Sequence, residues 1–154
     1  MATILQLTLN PEPILRKRLA ELSLMDIASP AIQTLIEDMR VTMVAAQGIG
    51  LAGNQVGKDL QIFTIDRQLA REAKISDVFI NPVIEDLSQK LAVMEEGCLS
   101  VPGKFADVRR PAQITVSALD GQGEPFRIEA KGLLARVLQH EIDHLNGKLF
   151  IDRL

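Results

Sequence analysis

Gln113-Ile114-Thr115-Val116-Ser117-Ala118-Leu119, then Asp120-Gly121-Gln122-Gly123, then Pro125-Phe126-Arg127-Ile128-Glu129-Ala130, running straight on into Gly132 to Asn146, is the stretch on which the fold is read. Ile114, Val116 and Ala118 alternate with polar partners, a glycine-rich turn follows, and Phe126, Ile128 and Ala130 resume the alternation, which predicts an antiparallel hairpin. From Gly132 the apolar period lengthens to that of a helix. Leu133, Leu134, Val137, Leu138, Ile142 and Leu145 share one arc, and Gly147 stands where a left-handed C-terminal cap is expected. Glu141 projects into the middle of that apolar arc and His144 lies within it, whereas Arg136, Gln139 and Asp143 face the other way.

Working upstream, Ser29-Pro30 reads as a helix start, with Ser29 as the cap and Pro30 at the first helical position. Ile32, Leu35, Ile36, Met39 and Met43 recur at three and four, so a second helix is expected to about Gln47, ended by Gly48. Gly48-Ile49-Gly50-Leu51-Ala52-Gly53-Asn54-Gln55-Val56-Gly57 holds four glycines in ten residues and reads as a loop whose backbone comes close to something. Further short β-type runs are expected at Gln61–Asp66 and Val78–Ile84. Strands lie between two long helices without regular strand–helix alternation. The fold class is therefore α+β, with mostly antiparallel sheets packed around the C-terminal helix and a second long helix near residues 30–47.

Composition bounds the function classes. The chain has 154 residues, 17 Lys+Arg against 20 Asp+Glu, hence 17 − 20 = −3, with 47% apolar and 24% charged residues. This is the balance of one globular domain, 1–154, and it excludes disordered, collagen-like and coiled-coil chains. Without a basic block it is not a dedicated or sequence-specific nucleic-acid binder; Arg16-Lys17-Arg18 and Arg109-Arg110 read as solvated surface. No run approaches the roughly 18–20 apolar residues of a membrane span, and the amino end lacks a secretory signal pattern, so a cytoplasmic protein is expected. Cys98 is the single cysteine, free for packing, metal binding or reaction, and His140 and His144 are the only histidines.

Their spacing carries weight. His140-Glu141-Ile142-Asp143-His144 fits H-E-x-x-H, which stacks two imidazoles on one helix face where they can share a metal ion. Two histidines placed at random in such a chain fall four apart in roughly 1–2% of arrangements, and a Glu after the first lowers that to about 0.1%. A catalytic site of this kind takes three protein ligands and keeps one position open. The pattern with a third histidine six residues after the second fails, because Phe150 stands there, and none of the ten residues after His144 is Glu. The strongest upstream candidate is Cys98, set in Glu95-Glu96-Gly97-Cys98-Leu99-Ser100 between turn-forming residues; thiolate with imidazole suits Zn²⁺, Fe²⁺, Co²⁺ or Ni²⁺.

With these pieces assembled the sequence resembles peptide deformylase, the metallohydrolase that removes the formyl group from the starting methionine of new polypeptides. The three family motifs stand in order as Gly48-Ile49-Gly50-Leu51-Ala52-Gly53-Asn54-Gln55, Glu96-Gly97-Cys98-Leu99-Ser100 and Gln139-His140-Glu141-Ile142-Asp143-His144. The resemblance implies that Cys98, His140 and His144 hold the metal, with Fe²⁺ physiological in many members and Ni²⁺, Co²⁺ or Zn²⁺ able to replace it. It implies that Gln55 and the backbone N–H of Leu99 polarise the formyl oxygen and that Gly50 and its loop, Gly48 and Ile49 included, pair with the N-formylmethionyl nascent peptide. Leu133 and Ile49 are candidate walls for the methionine side chain, or else plain core. Two departures are visible. Gly53 stands where the family usually has Ala, which predicts a looser loop around Gln55. The sequence runs ten residues beyond His144, without the C-terminal helical extension of many bacterial members that is implicated in ribosome docking, so ribosome contact through such an element is not expected.

In the reaction so implied, Glu141 takes a proton from water and returns it to the leaving amine. The residues alone leave two other readings open: a small endopeptidase using the same helix, and a structural or metal-sensing module with a closed fourth position. Glu141 on the apolar arc speaks against the latter, since a structural site has no use for a base beside its ligands. The motifs are compatible with a bacterial, organellar or viral source, and the cytoplasm expected is that of the bacterium or, for a virus, of its host cell.

Overall fold

A computed structural model describes all 154 residues. The chain carries four α-helices, α1 (Leu24–Ala28), α2 (Pro30–Ala45), α3 (Arg67–Ala73) and α4 (Gly132–Leu145), among seven strands. Strands β1 (Gly50–Ala52), β2 (Ile62–Ile65), β3 (Val78–Leu87), β6 (Gln113–Leu119) and β7 (Pro125–Lys131) form one antiparallel sheet in the order β1-β2-β3-β6-β7. Strands β4 (Leu91–Cys98) and β5 (Val101–Pro111) form a separate two-stranded antiparallel sheet. The α+β expectation holds, and no helix is long and apolar enough to cross a membrane.

Alternation along β2 and β3 explains the layering. Phe63, Ile65 and Phe79 face one core with Val116, Ala118 and Ala130 and with Leu134, Leu138, Ile142 and Leu145 of α4. Ile62, Val78 and Ile80 face a second core, filled by Ile32, Leu35, Ile36, Met39 and Met43 of α2. The middle of the sheet is thus buried on both faces, with one long helix on each. Phe63 and Phe79 stack across the strands at 4.8 Å between ring centres, and Phe126 meets Phe79 edge-on at 4.9 Å.

The expected hairpin is β6–β7 in continuous register, closed by Asp120, whose side chain accepts from the N–H groups of Gln122 and Glu124. Ser29 caps α2 by accepting from the Ile32 N–H, and α2 stops at Ala45, two residues before the expected end. Gly147 takes the expected left-handed conformation after α4.

Other features differ from expectation. The glycine segment is not wholly a loop: Gly50–Ala52 is the edge strand β1, and Gly53–Val56 is a 3₁₀ turn. Strands β4 and β5 are invisible to a search for apolar alternation, because Leu91, Val93 and Phe105 are exposed and Pro102-Gly103 interrupts β5. Cys98 consequently sits on the end of a strand, not between turns. Register slips there, from Gly97 opposite Phe105 to Cys98 opposite Val101, and this irregularity aims the cysteine at α4.

Candidate active site

Two elements bring the candidate ligands together, the end of β4 and the middle of α4. Cys98, His140 and His144 each offer an atom within 4.8 Å of the other two. Cys98 Sγ lies 3.3 Å from His144 Nε2. Bond lengths of about 2.0–2.3 Å around a tetrahedral ion separate its ligand atoms by about 3.5 Å, so a soft-and-borderline donor set of this spacing fits a divalent cation. His140 Nδ1 lies 2.9 Å from Glu96 Oε1, which leaves Nε2 as the nitrogen available to a metal ion. Burial presses the His140 imidazolium down, but Cys98, Glu96 and the charge of Glu141 outweigh it and hold the group up at about 10 without metal. Burial and the neighbouring His140 charge drive His144 well below the ordinary histidine range.

Glu141 lies in the same cleft, 3% exposed, with Oε1 buried and without a hydrogen-bond partner. Burial raises its pKa to about 7; the charge of Glu96 adds to this while His140 opposes it. No arginine or lysine forms an ion pair with Glu141; the nearby Arg110 and Arg136 pair with Glu96 and Asp143 instead. Gly50 makes its room: a Cβ there would stand 2.5 Å from Glu141 Oε2.

Gln55 is held rigidly. Its Oε1 accepts from the Ala52 N–H at 3.0 Å, its Nε2 donates to Ser100 Oγ at 3.1 Å, and Nε2 lies 3.6 Å from Cys98 Sγ. The looser loop expected from Gly53 is not found. A Cβ at position 53 would come within 2.7 Å of the Leu60 carbonyl oxygen, so the glycine allows the turn carrying Gln55 to pack directly on the 58–60 backbone. The Leu99 side chain packs on the α2 core, while its N–H donates no hydrogen bond within the chain. A cleft of about 490 Å³ is lined by Gln55, Cys98, Leu99, His140 and Glu141, with Gly48, Ile49 and Gly50 on one side and the β4–β5 hairpin on the other, and His144 buried behind them. Leu133 and Ile49 are 47% and 39% exposed at its mouth, which removes them from the core.

The polar side of α4 is the larger departure from expectation. Arg136, Gln139 and Asp143 are buried, not solvated, because the β4–β5 hairpin lies over them. Arg110, expected at the surface, is 2% exposed. It grips Glu96 with two hydrogen bonds, Nε at 2.6 Å and Nη2 at 2.9 Å, and reaches Asp143 Oδ2 with Nη1 at 2.8 Å. Arg136 Nη1 adds a bond to Glu96 Oε2 at 2.8 Å. Burial alone would raise Glu96, but His140, Arg110 and Arg136 outweigh it and hold the carboxyl far below its usual range. The motif around Cys98 does not by itself mark Glu96 as a partner of His140; the available signal is its place two residues before Cys98, together with the need of a metal-binding histidine for an orienting carboxylate.

Comparison with known proteins agrees with this geometry. A family model described as polypeptide deformylase matches residues 4–154. A peptide deformylase of Saccharophagus degradans is 51% identical over 142 residues, covering 92% of this chain and 80% of that protein. Peptide deformylase 2 of Xanthomonas campestris is 49% identical over 144 residues, covering 94% and 83%. Among solved structures, a class I type b peptide deformylase from Acinetobacter baumannii superposes with a TM-score of 0.92 at 34% identity, covering 99% of this chain and 100% of that one. An actinonin complex of a Synechococcus elongatus peptide deformylase gives 0.88 at 43% identity, covering 97% and 78%.

Cutting the buried ion cluster is costly because the remaining charges cannot reach water. Arg110→Met is expected to lower unfolding stability by about 3–5 kcal/mol, read from the urea midpoint. Gly53→Ala is expected to destabilise too, by about 1–3 kcal/mol in the same measurement, because the added methyl group meets backbone.

Proposed function

This chain belongs to the polypeptide deformylase family, a metal-dependent hydrolase that removes the N-formyl group from the initiator methionine of newly made polypeptides and releases formate, and on that premise we propose the roles of its residues. Cys98, His140 and His144 hold the metal, in one domain spanning 1–154, and Glu141 moves the proton. The observation that carries this reading is the meeting of the three donors with an unpartnered, buried carboxylate in one cleft.

A divalent cation bound by these ligands lowers the pKa of a water molecule and polarises a carbonyl oxygen. Glu141, raised by burial to about 7, accepts a proton from the attacking water near neutral pH. The water oxygen bonds to the formyl carbon, and the formyl oxygen gathers charge. Gln55 Nε2, which donates to Ser100 Oγ within the chain, and the unengaged Leu99 N–H are the proposed donors to that charge, the Gln55 amide being anchored at Oε1 by the Ala52 N–H. Collapse breaks the carbon–nitrogen bond; Glu141 returns its proton to the methionine nitrogen, and formate leaves.

The N-formylmethionyl peptide lies along β1, an edge strand whose outer side faces the cleft, so backbone at Gly48, Ile49 and Gly50 pairs with it as an added strand. The exposed side chains of Leu133 and Ile49 border the methionine. Fe²⁺ is the proposed ion, with Zn²⁺, Ni²⁺ or Co²⁺ as substitutes. A cytoplasmic setting is proposed with this substrate. No basic surface is assigned to the ribosome or to nucleic acid.

Formate release from formyl-Met-Ala-Ser by anaerobically purified protein, with metal content measured on the same sample, tests the reading; cleavage of internal peptide bonds instead would replace it with an endopeptidase. Glu141→Gln is expected to keep its metal and lose more than about nine-tenths of turnover, whereas retention of more than about a tenth removes Glu141 as the base. Gln55→Ala, which removes one preorganised donor, is expected to lower kcat by about a hundred- to a thousandfold.

A further inference from the structure

The C-terminal turn, the 3₁₀ helix Phe150–Arg153, touches the proposed metal helix in two places. Phe150 is buried and its ring lies 6.3 Å from that of His140, with 23° between the planes. Arg153 forks onto Asp143, Nη2 to Oδ1 at 2.7 Å and Nε to Oδ2 at 3.0 Å. Oδ2 also accepts from Arg110 Nη1 at 2.8 Å. Arg110 forks onto Glu96, and Glu96 Oε1 takes His140 Nδ1 at 2.9 Å. A continuous line of ionic hydrogen bonds therefore runs from a side chain 41% exposed at the end of the chain to a proposed metal ligand.

We propose that Arg153 is a positioning residue for His140, acting through Asp143, Arg110 and Glu96. The inference rests on the metal-site reading above and adds to it a group more than a helical turn from any ligand. The geometry gives Arg153 this reach because two of the three links from it to Glu96 are forked, Arg153–Asp143 and Arg110–Glu96, and the one between them is a single charged hydrogen bond from Arg110 Nη1 to Asp143 Oδ2. A forked guanidinium–carboxylate contact fixes the plane of each group as well as its distance, so Arg153 sets the orientation of Asp143 and Arg110 that of Glu96, while the single bond from Arg110 Nη1 to Asp143 Oδ2 anchors the Arg110 guanidinium at one corner. Without Arg153, Asp143 Oδ1 has no protein donor and the carboxylate is free to turn toward water. Arg110 then loses its fixed anchor on the helix, and Glu96 is steered by Arg136 and His140 alone. Groups that orient a ligating histidine directly change metal affinity by about 10–100-fold; three links farther out, with solvent screening one of them, the effect is expected to be smaller.

The test is release of Co²⁺ from the full chain to excess chelator, followed by the thiolate–cobalt absorption. Arg153→Ala is expected to release the ion about three- to tenfold faster than the unsubstituted protein, and Arg153→Lys, which restores charge without the fork, to recover part of the difference. In an Asp143→Asn background the Arg153 substitution should add nothing further, since the line is already cut. Arg16→Ala breaks the Arg16–Asp152 pair in the same C-terminal turn without touching Asp143, and is expected to leave release within about twofold. Unchanged release from Arg153→Ala, equal acceleration by Arg16→Ala, or a full additional effect beside Asp143→Asn would each overturn the inference while leaving the metal site standing. Failure of the unsubstituted protein to give the absorption would overturn the metal site and this inference with it.

Discussion

Glu96 accepts four hydrogen bonds at its two carboxylate oxygens, two from Arg110, one from Arg136 and one from His140, and through them the β4–β5 hairpin is bound to α4. Everything at the site depends on that junction. Cys98 belongs to the hairpin and the two histidines to the helix, so the three donors converge only while these elements are held in one alignment. Apolar contact alone would permit sliding; charge-assisted bonds of fixed geometry do not. The same carboxylate that sets the alignment also selects which nitrogen of His140 faces the site.

Burying this many charges is expensive unless each finds a partner. Here two carboxylates, Glu96 and Asp143, are set among three guanidinium groups, Arg110, Arg136 and Arg153. Arg136 spends its remaining donors on the carbonyl oxygens of Val108 and Ala92, and so ties helix to hairpin a second time. Glu141 is the exception, a buried carboxylate outside the network with one oxygen unpartnered. The two carboxylates are opposite in state: Glu96 is held as an anion by its donors, whereas burial raises Glu141 to about 7, the range suited to the proposed proton transfer.

Space is controlled as tightly as charge. Gly50 leaves the Glu141 carboxylate its place against β1, and Gly53 lets the turn bearing Gln55 sit on the backbone of residues 58–60. The edge strand, the base and the amide donor are thereby packed into contact without a side chain between them. The departure at position 53 from the usual family residue is matched by a close backbone approach, not by slack.

The spacing of His140, Glu141 and His144 determined the site's helix, because residues four apart on an α-helix must share a face whatever surrounds them. The β6–β7 hairpin and the cap of α2 were legible for the same reason: turn chemistry and capping act over a few residues. Cys98 could be named by elimination, but not its strand, since β4 and β5 bury little apolar surface and show no apolar alternation. Only the tertiary structure decided that Arg110, Arg136 and Asp143 are interior. A polar helix face reads as solvated until another element lies on it, and the carboxylates and guanidinium groups that neutralise one another there come from positions up to 57 residues apart, Glu96 to Arg153 (153 − 96 = 57). Local pattern carries short-range geometry; the pairing of distant charges is settled by packing, and packing is a property of the whole chain.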